Sequence, residues 1–440
     1  MPPISLSSLQ SSIDTLTTDT AQIDTIRAYL RLLGPAQEAV LAPSDPEADA
    51  YFGSSACMND AGDVVIIAAP YDDGTGPGDS GAAYIFSNSG GSWSQVAKLV
   101  PSDPQANAYF GLSVSMNATG DVAIIGAPYD DGIGVAASGA AYIFSNSGGS
   151  WTQTTKLLPS DPEASAYFGY RVSMNAAGNV VIIGAYNDDG PGWTNSGAAY
   201  IFSNSGGSWT QTTKLVPSDP EASAYFGFSV SMNAAGDVVL IGANGDDGNG
   251  AAADSGAAYI FSNSGGSWTQ TTKLLPTDPQ LYGSFGNSVS LNDAGNVAII
   301  GAPLDEGTGG VVNSGAAYIF SNSGGSWTQT TKLLPSDPET SAQFGLELCI
   351  NAAGNVAIIG AKIYDGAGPS DSGAVYIFSN FGSGWVQTGK LVASDPEASA
   401  YFGSTVQFNS AGNVMIIGES GRDFGGSNNT GLSYIFRGVV

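Results

Sequence analysis

The chain has 440 residues, of which 42% are apolar, 12% charged and 61 glycine, with 39 acids against 12 bases and no histidine. A formal charge of −27 argues against a nucleic-acid backbone or an anionic membrane as partner and fits cations or basic surfaces better. Without histidine there is no Ser-His-Asp triad, histidine base or histidine metal site; no apolar run approaches the ~18 residues of a membrane helix, so membrane insertion is not expected.

At the start of the chain, Leu6, Leu9, Ile13, Leu16, Ile23 and Leu30 recur at three- and four-residue spacing, with Thr20 and Arg27 in the seam and Gly34-Pro35 ending the pattern. The spacing predicts a helix over 4–33. Rich in Ser and Thr, it is weak in isolation and needs a partner. Residues 1–35 are therefore expected to be an attachment or oligomerisation segment, meeting other chains of an assembly through Leu9, Ile13, Leu16, Ile23 and Leu30. The first 20 residues have neither the basic region nor the apolar core of a classical signal peptide.

From residue 36 onward a single unit dominates. The pair Phe-Gly recurs with Phe at 52, 110, 168, 226, 285, 344 and 402, every 58 or 59 residues. A period of this length dictates architecture more firmly than local propensity. In the second copy Phe110, Leu112, Val114 and Met116 alternate with small residues, as in a half-buried strand. Val122–Ala127 is apolar throughout and reads as a strand buried on both faces. Ala140–Phe144 is a third strand, and after the turn "SNSGGS" Trp151–Leu157 is a fourth, with Trp151 and Leu157 expected on one face. Four short antiparallel strands per unit, seven times over, predict an all-β, seven-bladed propeller.

The ends support a closed ring. The last copy stops at "LSYIFRGVV" without a tryptophan strand, while residues 36–46, "AQEAVLAPSDP", align with the fourth strand and following turn of the internal copies. This segment is expected to complete blade 7, so that 36–440 is one ring. Lys98, Lys156, Lys214, Lys273, Lys332 and Lys390 fall on the fourth strand and read as edge charges that discourage pairing with other chains. Cys57 and Cys349 occupy the place filled by Ser115, Ser173, Ser231 and Ser290 elsewhere, which predicts two free thiols rather than a disulfide.

Phe-Gly-x-Ser-Val-Ser, Ile-Ile-Gly-Ala-Pro, Ser-Gly-Ala-Ala-Tyr-Ile-Phe and Trp-x-Gln-x-x-Lys-Leu together resemble the FG-GAP repeat family, whose seven-bladed propellers include the integrin α-subunit head domain. The resemblance covers 36–440 and implies fold more firmly than function, since the family is used for adhesion, ligand binding and assembly. Integrin-type repeats often carry a calcium loop between strands one and two. Here that place holds short turns such as Asn59–Asp63 and Asn175–Asn179, with too few carboxylates for six or more oxygen ligands, so the family's calcium sites do not carry over.

The copies differ most in the loop between strands two and three, for example "YDDGTGPGDSG", "YNDDGPGWTNSG" and "NGDDGNGAAADSG". Alternating strand direction puts these 2–3 loops on the same face as the 4–1 loops "PSDPEASA", and the two sets hold 16 and 13 of the 39 acids. Varied loops on one face over constant hairpins on the other is how a scaffold presents a binding surface. Three readings of the acids stay open: turn residues bonding local backbone; weak calcium ligands, with Asp72, Asp73, Asp79, Asp130, Asp131, Asp246, Asp247 and Asp254 as the candidate set; and direct contacts to a polar or basic partner, with Asp188, Asp189, Asp246 and Asp247 as candidates. Trp193, the one tryptophan in a loop, is placed to stack on a sugar ring.

No cofactor is required by any motif, calcium aside. The expected function is a non-enzymatic recognition or adhesion propeller, binding a protein or glycan through the acidic loop face. It would be displayed on a virion, as a fibre or decoration protein, or on an extracellular surface. A purely structural component of a particle is the alternative. A carbohydrate-active enzyme or lectin ranks third, because the acids recur as near-equal copies whereas catalysis needs one pair in a singular environment.

Overall fold

A computed structural model of the chain describes residues 34–438, apart from 75, 191, 249, 251 and 308. The expected helix over 4–33, with Leu9, Ile13, Leu16, Ile23 and Leu30, lies outside the described residues. Within them 28 strands form seven four-stranded antiparallel sheets. No described helix is long and apolar enough to cross a membrane.

Six sheets take their strands in chain order. The seventh is Ala36–Leu41, Leu432–Arg437, Val414–Glu419 and Phe402–Phe408, so the segment before the first blade is the outer strand of the last. Its register runs from Ala36 opposite Arg437 to Leu41 opposite Ser433. Glu38 bulges out of this pairing, accepts hydrogen bonds from Asn88 and Trp93 of blade 1 at 3.1 and 3.2 Å, and pairs with Arg437. The ring closes as the split repeat predicts.

The cores lie between blades. Ile66, Ala68, Ala83, Ile85 and Leu99 of blade 1 pack against Phe110, Val114, Met116, Tyr142 and Phe144 of blade 2, and the same set recurs around the ring to blade 7 against blade 1. One face of each blade is small and branched, the other aromatic, so neighbours interlock. The Phe-Gly motif sits at this joint. Gly139, at φ 87°, forms a parallel bridge to Phe168, and a Cβ there would stand 2.0 Å from the Phe168 carbonyl oxygen. Only glycine permits that approach.

Strand one of each blade lines the axial channel, where its outer backbone groups have no neighbouring strand in the same sheet. Serines supply partners: the amides of Val172, Met174, Met232, Leu291 and Ile350 donate to Ser113, Ser115, Ser173, Ser231 and Ser290 of the preceding blade at 3.0–3.2 Å. Cys57 and Cys349 take the serine position and are free thiols, as the repeat alignment anticipates. Burial raises the pKa of both, that of Cys349 to about 11.

Two expectations are corrected by a single bulge. In blade 2, Phe144 opposes Gln153 and Ile143 opposes Thr155, so Thr154 is an extra residue; blades 1 and 3–6 carry the same shift. The bulge moves Trp151 onto the face of Tyr142 and Lys156, opposite Leu157. The lysine is thereby turned inward against the tyrosine instead of standing as a free edge charge: Lys156 Nζ lies 5.1 Å from the Tyr142 ring centre, and all six fourth-strand lysines are in ion pairs.

Candidate recognition face

The first aspartate of each Asp-Asp pair folds back into the protein. Asp130 is 1% exposed. Its carboxylate accepts the Gly132 amide at 2.7 Å and the Tyr142 hydroxyl at 2.7 Å, and lies 3.0 Å from Lys156 Nζ. Lys156 also reaches Asp103 at 2.7 Å. Asp103 belongs to the 4–1 loop that leads into blade 2, so each lysine clasps the two loops of its blade together. Asp72, Asp188, Asp246 and Asp305 repeat the arrangement with Lys98, Lys214, Lys273 and Lys332. Burial and the neighbouring carboxylates push the pKa of the Tyr142 phenol far up, so it remains a donor. At Lys98 burial opposes the charge, but hydrogen bonds to Asp45 and Asp72 outweigh it and the pKa is raised.

Blades 6 and 7 depart from the clasp in compensating ways. In blade 6 Tyr364 stands in the aspartate position, gives its hydroxyl to Asp337 at 2.9 Å, and carries Lys390 over its ring at 3.6 Å. In blade 7 the fourth strand has Val40 in the lysine position. There the cation arrives from the 2–3 loop, as Arg422, which contacts Asp395 at 2.6 Å and Glu397 at 3.1 Å.

The second aspartate shapes the loop. Asp73 accepts the Asp79 amide at 2.8 Å, Asp131 that of Ala137 at 2.9 Å, Asp189 that of Asn195 at 2.9 Å, and Asp247 that of Asp254 at 2.8 Å. Of the candidate site residues, then, Asp72, Asp130, Asp188 and Asp246 lie buried in clasps, while Asp73, Asp131, Asp189 and Asp247 bond loop backbone. Asp79 and Asp254, at φ 54° and 48°, mark loop turns. The lysine ammonium is the counter-charge that the buried carboxylates meet. Among the described residues no group of three or more acid or cysteine side chains is arranged to hold a metal ion. Trp193 is 50% exposed.

Most of the exposed large apolar side chains are on this face, while Val40, Val96 and Val386 lie on outer strands and Phe381 on a hairpin of the opposite face. Ile133 (71% exposed), Trp193, Val312 and Phe424 crown 2–3 loops, and Leu281 and Tyr282 stand in the 4–1 loop that precedes blade 5. Beneath them runs an arc of tyrosines that sequence reasoning missed. Ring centres step from Tyr51 to Tyr71 (5.3 Å), Tyr109 (4.7 Å), Tyr129 (5.0 Å), Tyr167 (4.7 Å), Tyr186 (5.5 Å) and Tyr225 (5.8 Å). Tyr51, Tyr109, Tyr167, Tyr225 and Tyr401 have φ of 52–60°, a region costly for bulky residues. Ser284 and Gln343 hold the same φ in blades 5 and 6, so the backbone demands the turn but not the ring. The signal was the Tyr before Phe-Gly in five of the seven copies and the Tyr that opens the 2–3 loop in blades 1–3, whose meeting across blades only the ring reveals.

The repeat unit and the blade are offset by one strand. The family model described as FG-GAP repeat matches seven times, over residues 35–86, 93–144, 151–202, 209–261, 268–320, 327–378 and 385–436. The chain belongs to the FG-GAP repeat family. Each match begins at a fourth strand and ends with the third strand of the next blade, which is why an FG-GAP ring closes by lending its first strand to its last sheet. FG-GAP propellers are typically non-enzymatic and of protein-binding or adhesion type; the resemblance to the integrin α head is consistent with the seven blades. No curated protein matches the chain.

Proposed function

We propose that the protein is a non-enzymatic recognition or adhesion propeller that binds a protein or glycan partner through the face of 2–3 and 4–1 loops, displayed on a virion or on a cell surface. The observation that carries this reading is the gathering of Ile133, Trp193, Val312, Leu281 and Tyr282 on the loops of one face, among acids, above the tyrosine arc. Apolar tips exposed to water cost free energy that a buried clasp does not need, and large side chains within a polar rim are the anatomy of interaction surfaces. The opposite face repeats "SNSGGS" in blades 1–5 and exposes Phe381 in blade 6. Acids around the tips favour a basic partner and make association weaken with salt.

The test applies the labelled full chain to glycan arrays and to intact cells. Replacing Ile133, Trp193 and Tyr282 together with serine should reduce binding at least tenfold, while Ser147→Lys and Ser205→Lys on the opposite hairpins leave it unchanged. Loss through the hairpins, or full binding by the loop variant, would overturn the reading.

A further inference from the structure

Repetition in this ring marks what the scaffold needs, so departures from it mark what the scaffold is for. Apart from the 2–3 loops and the clasps of blades 6 and 7, a group of departures lies at the axial mouth on the loop face. The two positions after Phe-Gly are Ser54-Ser55 and Leu112-Ser113 in blades 1 and 2, but Tyr170-Arg171 in blade 3 and Leu346-Glu347 in blade 6. The position after strand two is Pro70, Pro128 and Pro303 in blades 1, 2 and 5, but Tyr186 in blade 3 and Lys362 in blade 6.

Arg171 and Glu347, 176 residues apart in the chain, meet across the channel at 3.1 Å, and together they line an axial cavity of about 110 Å³. The Arg171 guanidinium lies 5.1 Å from the Tyr170 ring centre. Tyr170, Tyr186 and Phe228 form a mutually packed aromatic wall, with ring centres 4.5–5.4 Å apart. Glu347 pairs opposite Gly360 on the neighbouring strand, two residues before Lys362, and Lys362 is half-buried. Every other described lysine and arginine is in an ion pair; among the described residues Lys362 has no hydrogen-bond or ion-pair partner. Two cations here face one carboxylate.

We propose that Arg171 and Lys362 bind the carboxylate of a small monoanionic ligand whose ring rests on the wall of Tyr170, Tyr186 and Phe228. The reading rests on the loop face being the binding face, but it uses none of the loop tips. Glu347 holds Nη2 of the guanidinium across the channel and the Tyr170 carbonyl accepts from Nη1 at 3.5 Å, leaving the remaining donors for the incoming carboxylate in a charge-assisted contact. Burial lowers the pKa of Lys362, and a second carboxylate would offset that cost. A polyanion is disfavoured, because the 2–3 and 4–1 loops of this face hold 29 of the 39 acids; one carboxylate on a compact body matches a single unpaired lysine.

The experiment titrates D-glucuronate and benzoate, with D-glucose and benzyl alcohol as neutral counterparts, into the full chain by ligand-detected NMR. One or both carboxylates should bind at least tenfold more tightly than their neutral counterparts. Glucuronate alone would identify a sugar acid as the ligand class, and benzoate alone an aryl acid. Lys362→Met should weaken binding at least tenfold with an unchanged melting temperature, and the Ile133/Trp193/Tyr282 variant should bind as wild type. That last arm separates the two proposals, since failure of the loop-tip reading leaves it unmoved. No binding by either carboxylate, equal binding by the neutral compounds, or full binding by Lys362→Met would overturn the assignment.

Discussion

Arg422 and Asp395 meet at 2.6 Å in blade 7 where Lys98 and Asp45 meet at 2.7 Å in blade 1, with the cation supplied from the opposite side of the clasp. Its lysine place is taken by Val40, and its aspartate place by Arg422. The conserved quantity is one cation between two loops rather than any one residue. The two acids it holds are not equivalent, because Asp130 is 1% exposed and Asp103 half exposed.

Asp130→Ala should therefore destabilise the ring by about 3 kcal/mol, because it strips partners from a buried lysine–tyrosine network. Asp103→Ala, at the solvent side of the same lysine, should cost less than about 1 kcal/mol. Thermal melts of the two variants check this; equal shifts would refute the division between anchor and rim.

Deleting residues 1–43 removes the strand Ala36–Leu41 and leaves Leu432–Arg437 as an unpaired edge, together with the Glu38 contacts to blade 1. The melting temperature should fall well below that of full-length protein, whereas deletion of 1–33 should leave it within a few degrees. Equal melting temperatures for full-length protein and the 44–440 fragment would show that closure does not depend on the split blade.

The blade count, the closure and the loop face were legible because each rests on a period visible along the chain. The clasp was not, because a one-residue bulge at Thr154 and its equivalents leaves no mark in the alternation yet turns Lys156 onto the other face. The axial trio was hidden for a different reason. Arg171, Glu347 and Lys362 belong to blades 3 and 6, and only the closed ring brings those strands to one axis. The tyrosine arc was visible as residues but not as neighbours.

Glu419 sets a pH dependence. It is fully buried, accepts the Tyr434 hydroxyl on one oxygen and has no partner for the other, and burial raises its pKa from 4.5 to about 7. Between those values the folded state holds a proton that the unfolded state has released. Its stabilising contribution is therefore complete below about pH 4.5 and is lost as pH rises through 7, a change of up to about 3 kcal/mol. Glu419→Gln should flatten this part of the profile and raise the melting temperature at pH 8. An unchanged pH profile in the variant would place the titration elsewhere.

Cys57 and Cys349 should resist thiol reagents at pH 7.5 in the native protein, because burial raises both pKa values and the thiolate is the reactive form. Both should label within minutes in denaturant. Cys349→Ser restores the residue that other blades use to accept the next blade's amide, and should shift stability by less than about 1 kcal/mol. Rapid native labelling of Cys349, the buried thiol, would show that the channel wall opens.

Calcium separates the readings of the aspartate loops. Lys156 sits between Asp103 and Asp130 as a cation would, so millimolar calcium should leave the wild-type melting temperature within about 1 °C of its starting value. Lys156→Met leaves the two carboxylates facing each other without a counter-charge. Calcium should then recover stability, by about 1.4 kcal/mol at ten times its Kd, since an ion bound only by the folded state stabilises it by mass action. A rise in the wild type as well would assign calcium to the solvent-side acids Asp73, Asp79, Asp131, Asp247 and Asp254, whose carboxylates the lysines do not occupy. No rise in Lys156→Met would mean that the clasp geometry suits an ammonium on a fixed stem and not a free divalent ion, which demands six or more oxygens where the clasp offers two carboxylates.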